Sequence, residues 1–205
     1  MIRALVVPPA ARPSVAALLS GLDCELEDAD DQGLNGAESA LDAGRDDYGL
    51  VVVPPAAAVA ESPRRVLVLH DGTTSSSSAI EVADALARSR GAKVVVVHVW
   101  EPVVTDEPGS LTALRVADHG PYDWEEWRDE FVRRFCLFSD GVSATLEVVG
   151  GPKVDSILDI VHRHRADLVV ASWRGDRDPR GGPTLRGVAS RSPSPLLLVP
   201  RSGGN

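Results

Sequence analysis

The sequence predicts an α/β protein with a doubly wound parallel sheet. Two segments are apolar at nearly every position, as expected of parallel strands covered on both faces: RVLVLHD (65–71) and KVVVVHVW (93–100). Amphipathic helical patterns alternate with these and later apolar segments. Strands that alternate with helices indicate right-handed βαβ crossovers, so helices should cover both faces of the sheet.

The first helix of this sheet follows the strand at 65–71. Serines at 75–78 are predicted to cap it, its apolar face runs from Ile80 to Ala87, and Gly91 should end it. After the strand at 93–100, the chain between Glu101 and Pro121 has little periodicity. We expect that connection to be mobile rather than functional.

A second helix is indicated by YDWEEWRDEFVRRFCLF (122–138). Its aromatic residues recur every three or four positions, which places them on one face of a helix. We interpret this face as part of the core rather than as a ligand platform. The residues are Trp124, Trp127, Phe131, Phe135 and Phe138.

The remaining elements complete a five-stranded sheet. VSATLEVV (142–149) is a strand, and Gly150-Gly151-Pro152 turns into a helix with Val154, Ile157, Leu158 and Val161 on one side. The last two strands are DLVVAS (167–172) and PLLLVP (195–200). Between them, TLRGVASR (184–191) should form a helix of about two turns at most.

The first sixty residues predict a smaller βαβαβ unit. Strands are expected at IRALVV (2–7), CELED (24–28) and YGLVVVPP (48–55), with a Ser14-capped helix in PSVAALLSGL and a short helix in GAESALDAG. Small residues, a proline and charges at 56–65 mark a boundary. We therefore expect two units, residues 1–62 and residues 63–205.

Composition narrows the function classes. A net charge of -9 and a pI near 5.0 argue against a nucleic-acid surface. Cys24 and Cys136 lie far apart without metal-ligand spacing, so neither a disulfide nor a zinc site is expected, and a reducing cytoplasm fits. No apolar run is long enough for a signal peptide or a membrane span, so we expect neither secretion nor membrane insertion.

Residues 64–200 resemble the universal stress protein (UspA-like) family. The resemblance is carried by VLVLHDGTTSSSSAIEVADALARSRGAKVVVVHVWEP, VVGGPKVDSILDIVHRHRADLVVASWRG and SPLLLVP, in that order. It implies an adenine nucleotide alpha hydrolase-like fold with five parallel strands in the order 3-2-1-4-5. It also implies an assembly that is usually dimeric, without established catalysis in most members.

The resemblance implies a binding site for ATP or another adenine nucleotide. Asp71 would lie by the sugar or base and Val99 near the adenine. ATP-binding members carry a pattern like G-x2-G-x9-G-[ST] after the fourth strand, and here it falls on Ser172, Gly175, Gly187 and Val188. The predicted site residues are Asp71, Val99, Ala171, Ser172, Gly175, Gly187, Val188, Ala189 and Ser190.

This pattern departs from the family at three points. Ser172 replaces a glycine, Gly187 comes two residues late, and Val188 replaces the hydroxyl residue. A hydroxyl bonded to phosphate contributes about 1.5–3 kcal/mol, so Val188 alone predicts an affinity loss of about ten- to a hundredfold. Five arginines could instead bind an anion directly, although we favour the interpretation that they belong to a solvated loop. They are Arg174, Arg177, Arg180, Arg186 and Arg191.

Other polar residues have simpler interpretations. Asp71 could also cap the helix that follows it. His70 and His98 end neighbouring strands, but two imidazoles without further ligands make a weak metal site. His162 and His164 suit a helix C-terminus. No Walker, G-x-S-x-G, HExxH or Cys-His pattern is present, so we expect no enzyme.

The N-terminal unit echoes the larger one, since CELED, AESALD and DYGLVVVP resemble TLEVV, VDSILD and DLVVAS. This is either a degenerate first repeat or chance recurrence of common residues. Rigid prolines replace its Gly-rich turns, so no phosphate cradle is expected there. We hypothesise that the unit stands in for one half of the family's dimer, giving a homodimer or an internal pseudo-dimer.

Two function hypotheses follow. One is a stress-response binding or regulatory protein with weak or altered adenine-nucleotide binding at Asp71, Val99 and the segment from Ser172 to Ser190. The other is an interaction module of the same fold that binds no nucleotide and acts through dimerisation. A hydrolase that uses Asp71 is a remote third.

Overall fold

The computed structural model describes residues 2–28, 49–100, 121–173 and 182–201. Its strands are β1 (Ile2–Val7), β2 (Cys24–Asp28), β3 (Gly49–Val52), β4 (Arg65–Leu69), β5 (Lys93–Trp100), β6 (Ala144–Gly150), β7 (Leu168–Trp173) and β8 (Leu196–Pro200). Its α-helices are α1 (Arg12–Leu18), α2 (Ser77–Arg90), α3 (Pro121–Phe135), α4 (Lys153–His164) and α5 (Gly182–Arg191).

The eight strands form one sheet in the order β2-β1-β3-β8-β7-β4-β5-β6. From β4 onward the order is β6-β5-β4-β7-β8 with every neighbour parallel, which is the order 3-2-1-4-5. The predicted fold class is therefore confirmed. Buried residues lie in β1, β3, β4, β5, β7 and β8, whereas the edge strands β2 and β6 contain none.

The N-terminal strands extend this sheet. β1 pairs in parallel with both β2 and β3, and β3 pairs antiparallel with β8 through Leu50↔Leu198 and Val52↔Leu196. The pairing covers the edge of β8 that the larger unit alone would leave open.

Apolar layers lie on both faces of the sheet, as alternation along the strands requires. One contains α1, α2 and α3 and includes Val68, Leu86 and Phe131. The other contains α4 and α5 and includes Leu67, Ile160 and Val188. The helices therefore cover both faces, as predicted.

Several element ends differ from the sequence predictions. α3 stops at Phe135, so Phe138 packs on the core from beyond the helix, although Trp127, Phe131 and Phe135 are buried as expected. α1 begins at Arg12 with no side-chain cap, so the Ser14 cap is wrong.

α5 has ten residues rather than about two turns. Gly182-Pro183 extends its start, since proline suits the first turn of a helix.

Two predicted segments, GAESALDAG and most of the Glu101–Pro121 connection, lie outside the described residues. Among the helices that are described, none is long and apolar enough to cross a membrane.

Candidate functional site

The candidate site lies where β4 and β7 end. These strands are parallel neighbours, with Leu69 opposite Ala171. Asp71 comes two residues after Leu69 and Ser172 one residue after Ala171, so the two chain ends reach the same edge of the sheet. In open parallel sheets, ligands bind at this edge.

The Asp71 carboxylate is held in a fixed orientation. Oδ1 accepts hydrogen bonds from the Thr73 amide at 2.9 Å, the Thr73 hydroxyl at 2.7 Å and the Ser76 hydroxyl at 2.6 Å. Oδ2 pairs with the Arg201 guanidinium at 2.9 Å. The side chain remains 40% exposed.

These contacts favour the ionised carboxylate. Burial alone would raise the pKa of Asp71. The hydrogen bond from Ser76, the charge of Arg201 and the bonds from Thr73 outweigh burial and hold this pKa below its ordinary value. A negatively charged acceptor therefore stands at the end of β4 at neutral pH.

Arg201 reaches this carboxylate from the far side of β7. It follows β8, and its amide donates to the Trp173 carbonyl at 3.0 Å. Its Nη1 donates to the Ser75 hydroxyl at 2.9 Å, and its Nη2 donates to Asp71 Oδ2. Because β7 lies between β8 and β4, the guanidinium spans the end of β7.

The Ser172 hydroxyl fills the position of the family's first glycine with internal hydrogen bonds. It donates to the Ser76 carbonyl at 3.1 Å, accepts from the Ala79 amide at 3.1 Å and bonds the Ser78 hydroxyl at 2.7 Å. Ala79 belongs to the first turn of α2, where amides lack helical partners. The N-terminal cap of α2 thus comes from β7, and the prediction that serines 75–78 supply it is wrong.

Gly187 lies inside α5 rather than at its start. A Cβ at Gly187 would stand 2.7 Å from Val154 Cγ2, so this glycine allows α5 to approach α4 closely. Val188 and Ala189 are fully buried in the apolar layer beneath α5, and the Ser190 hydroxyl donates to the Gly187 carbonyl. Gly187, Val188 and Ala189 therefore have packing roles, whereas Ser190 is exposed, and the predicted ligand role of all four remains a prediction.

The other predicted residues are placed as follows. Val99 comes two residues after Val97, which pairs with Leu69, so it lies near the end of β5, level with Asp71, and is half-buried. Ala171 is buried. Gly175, Arg174, Arg177 and Arg180 lie outside the described residues.

His70 and His98 are buried at the ends of β4 and β5 and bond to backbone rather than forming an open ligand pair. His70 Nδ1 accepts from the Gly72 amide at 3.1 Å, and His98 Nδ1 donates to the His70 carbonyl at 2.9 Å. Within the part of the chain that the structure describes, no group of three or more His, Cys, Asp or Glu residues could hold a metal.

Sequence reasoning found Asp71 but missed Arg201, Thr73, Ser75 and Ser76. The run Thr73–Ser78 directly after an acidic strand end was a signal for hydroxyl partners. Arg201 also follows a predicted strand at the same edge. Its pairing with Asp71 depends on the strand order, which brings β8 within one strand of β4.

Comparisons with known proteins agree with this fold. The model of the universal stress protein family matches residues 63–200. A Thermus aquaticus protein, described as a universal stress protein in the QAH/OAS sulfhydrylase 3' region, is 31% identical over 143 residues, which cover 66% of this chain and 98% of that protein.

Solved structures include a universal stress protein from Archaeoglobus fulgidus DSM 4304, with a TM-score of 0.57 and 18% identity over 80% of this chain and 53% of that chain. This chain thus spans about half the length of the Archaeoglobus protein. A universal stress protein in complex with cAMP has a TM-score of 0.46 and 23% identity, over 68% of this chain and 98% of that one. The match to the family model extends over most of the chain, and on that ground the chain belongs to the universal stress protein family.

Proposed function

We propose that this universal stress protein is a stress-related binding and regulatory protein that takes up an adenine nucleotide weakly at the carboxyl ends of β4 and β7. The observation that carries the proposal is Asp71, an oriented and partly exposed carboxylate at the junction of two parallel strands. A carboxylate in this position can accept hydrogen bonds from ribose hydroxyls or from an exocyclic amine. Val99 supplies an apolar neighbour at the end of β5.

Weak binding follows from what already occupies the site. Arg201 holds one oxygen of Asp71, and Ser172 uses its hydroxyl within the fold. Val188 is buried and has no hydroxyl to offer a phosphate. A ligand must therefore displace internal contacts, and that requirement lowers its apparent affinity.

We propose binding rather than catalysis for Asp71. Three donors and a guanidinium surround its carboxylate, and its lowered pKa makes it a poor general base.

A cytoplasmic location belongs to the same proposal. Burial raises the pKa of both thiols, Cys24 and Cys136, to about 11, which keeps them in the neutral form.

A second candidate is an interaction module without a nucleotide. Two observations favour it: Ser172 is committed to the cap of α2, and Gly187 is committed to the contact between α4 and α5. Both positions serve the fold where the family pattern would serve a ligand. Under this hypothesis the protein acts through its surfaces alone.

Isothermal titration calorimetry with ATP, ADP, AMP and cyclic AMP separates the candidates. We expect saturable heat with at least one nucleotide, and a loss of affinity of about tenfold in Asp71→Asn, since a bond to a charged acceptor is weakened. Asp28→Asn is the matched control, because Asp28 pairs with Arg12 at 3.0 Å at the other end of the sheet. No heat with any nucleotide supports the interaction module, and phosphate release during incubation with ATP would reveal a hydrolase.

A further inference from the structure

The ion pair between Arg201 and Asp71 occupies one oxygen of the carboxylate that a ligand would contact. The guanidinium crosses the end of β7 and meets the carboxylate at 2.9 Å. Its side chain is only 13% exposed, whereas that of Asp71 is 40% exposed. A ligand at the ends of β4 and β7 can therefore reach Asp71 from solvent, but it finds Oδ2 already paired with the guanidinium.

The backbone around Arg201 holds this cation in place. The Arg201 amide is bonded to Trp173, the last residue of β7, and a second nitrogen of the guanidinium is bonded to Ser75. Three separate segments, which follow or end β8, β7 and β4, thus meet at one residue: β7 through its amide and the segment after β4 through its guanidinium. Moving the guanidinium away from Asp71 requires a new partner for its charge.

We propose that Arg201 acts as a clasp: its ion pair with Asp71 blocks Oδ2 of the carboxylate, and only an anionic nucleotide breaks this pair. This inference rests on the proposed function and names the ligand class. A phosphate forms two parallel hydrogen bonds with a guanidinium and can take the place of the carboxylate. Asp71 Oδ2 is then free for the hydroxyls of the same ligand. A neutral nucleoside offers the guanidinium no such partner.

The test compares AMP with adenosine by calorimetric titration into the full-length protein. The wild type should bind AMP at least about tenfold more tightly than adenosine. In Arg201→Gln, AMP should weaken about tenfold while adenosine gains about threefold, so that the preference for AMP disappears. Arg201→Lys keeps the charge without the planar fork and should retain part of the preference.

Arg12→Gln is the matched control. Arg12 also pairs with an aspartate and a second acceptor, Asp28 at 3.0 Å and the Leu26 carbonyl at 2.7 Å, but it lies at the opposite end of the sheet. This variant should keep the wild-type preference, and a thermal melt of each variant verifies its fold.

An unchanged AMP-to-adenosine ratio in a folded Arg201→Gln overturns the clasp and leaves the proposed function standing. A gain of affinity for both ligands, or a loss of affinity for both, overturns the clasp as well. If the wild type and all variants bind neither ligand, the proposed function fails and the clasp fails with it.

Discussion

Two buried imidazoles lie beneath the aromatic face of α3. His70 is 3% exposed and contacts the rings of Phe131 and Phe135, with centroids 5.1 and 4.8 Å away. His98 contacts Trp127 at 5.5 Å. Burial lowers the pKa of His70 from 6.5 to about 4, against an opposing effect of Asp71, and burial also lowers the pKa of His98. Both rings are therefore neutral at pH 7.

This arrangement predicts a loss of stability in mild acid. Because the unfolded chain binds a proton at His70 near pH 6.5 and the folded chain only near pH 4, the free energy of unfolding falls as the pH drops through that window. The loss from His70 should reach at most about 3 kcal/mol. Asp71 acts in a different window, since its lowered pKa removes stability only below its ordinary value of 3.8.

Urea unfolding between pH 7 and pH 4 measures this effect. Asparagine can keep the hydrogen bond made by Nδ1 but does not titrate, so His70→Asn and His98→Asn should each flatten the pH dependence. His162→Asn, on the exposed side of α4, is the control and should keep the wild-type slope. A slope that survives in both buried variants would contradict the assignment.

At the residue scale, the resemblance of VLVLHDG to the family placed Asp71 in the candidate site, and the ligand role of Asp71 remains a prediction. The sequence was insufficient to predict the hydrogen bonds of Ser172 and Arg201, because their partners lie 94 and 130 positions away in the chain. Such contacts exist only once β8, β7 and β4 are neighbours. Local patterns do not encode them, because they depend on the order of the strands.

At the element scale, the contact between α4 and α5 depends on one glycine. Because Gly187 has no side chain, Val154 Cγ2 can lie only 2.7 Å from the position that a Cβ at residue 187 would occupy. Val154 is β-branched and has one strongly preferred χ1 rotamer in a helix, so its side chain cannot move aside at low cost. The glycine thus has a packing explanation that the family's phosphate pattern did not suggest.

Gly187→Ala should therefore destabilise the protein, although alanine is the better helix former. We expect a net loss of about 1–2 kcal/mol in urea unfolding, because overpacking outweighs a helix-propensity gain of about 1 kcal/mol. Val154→Ala in the same chain should recover much of the loss. Gly182→Ala, where a Cβ meets nothing within 4 Å, is the control and should be neutral or stabilising. A neutral Gly187→Ala would show that the two helices can separate freely.

Element identities were largely predictable, whereas their ends were not. β5 was predicted with its observed bounds because all-apolar strands of this length have few alternatives. Gly91 ended α2 as expected, with a φ of 65° and its amide bonded to the Ala87 carbonyl. The end of α3 was missed, because Phe138 continues the aromatic spacing after the helix has stopped.

At the scale of the whole molecule, the N-terminal unit occupies the edge of β8. The larger unit has the strand order β6-β5-β4-β7-β8. Without β5 and β8 this order becomes β6-β4-β7, which matches the order β2-β1-β3 of the N-terminal unit strand for strand. Antiparallel pairing of β3 with β8 gives the free edge of the larger sheet the kind of strand neighbour that a second subunit could supply. We therefore propose that residues 1–62 are a degenerate repeat that replaces a second subunit.

Sedimentation velocity tests this proposal. The full-length chain should sediment as a monomer, because its own β3 covers β8. A chain of residues 63–205 exposes the β8 edge and should form dimers or larger species. Full-length chains that self-associate to the same extent as the truncated ones would argue against a replacement role for the N-terminal unit.

A crystal structure of the full-length protein grown with AMP tests the central claim most directly. The account predicts AMP at the ends of β4 and β7, with a ribose hydroxyl on Asp71 and the Arg201 guanidinium turned from Asp71 to the phosphate. AMP bound elsewhere, or an intact pair between Arg201 and Asp71 in crystals saturated with AMP, would contradict it.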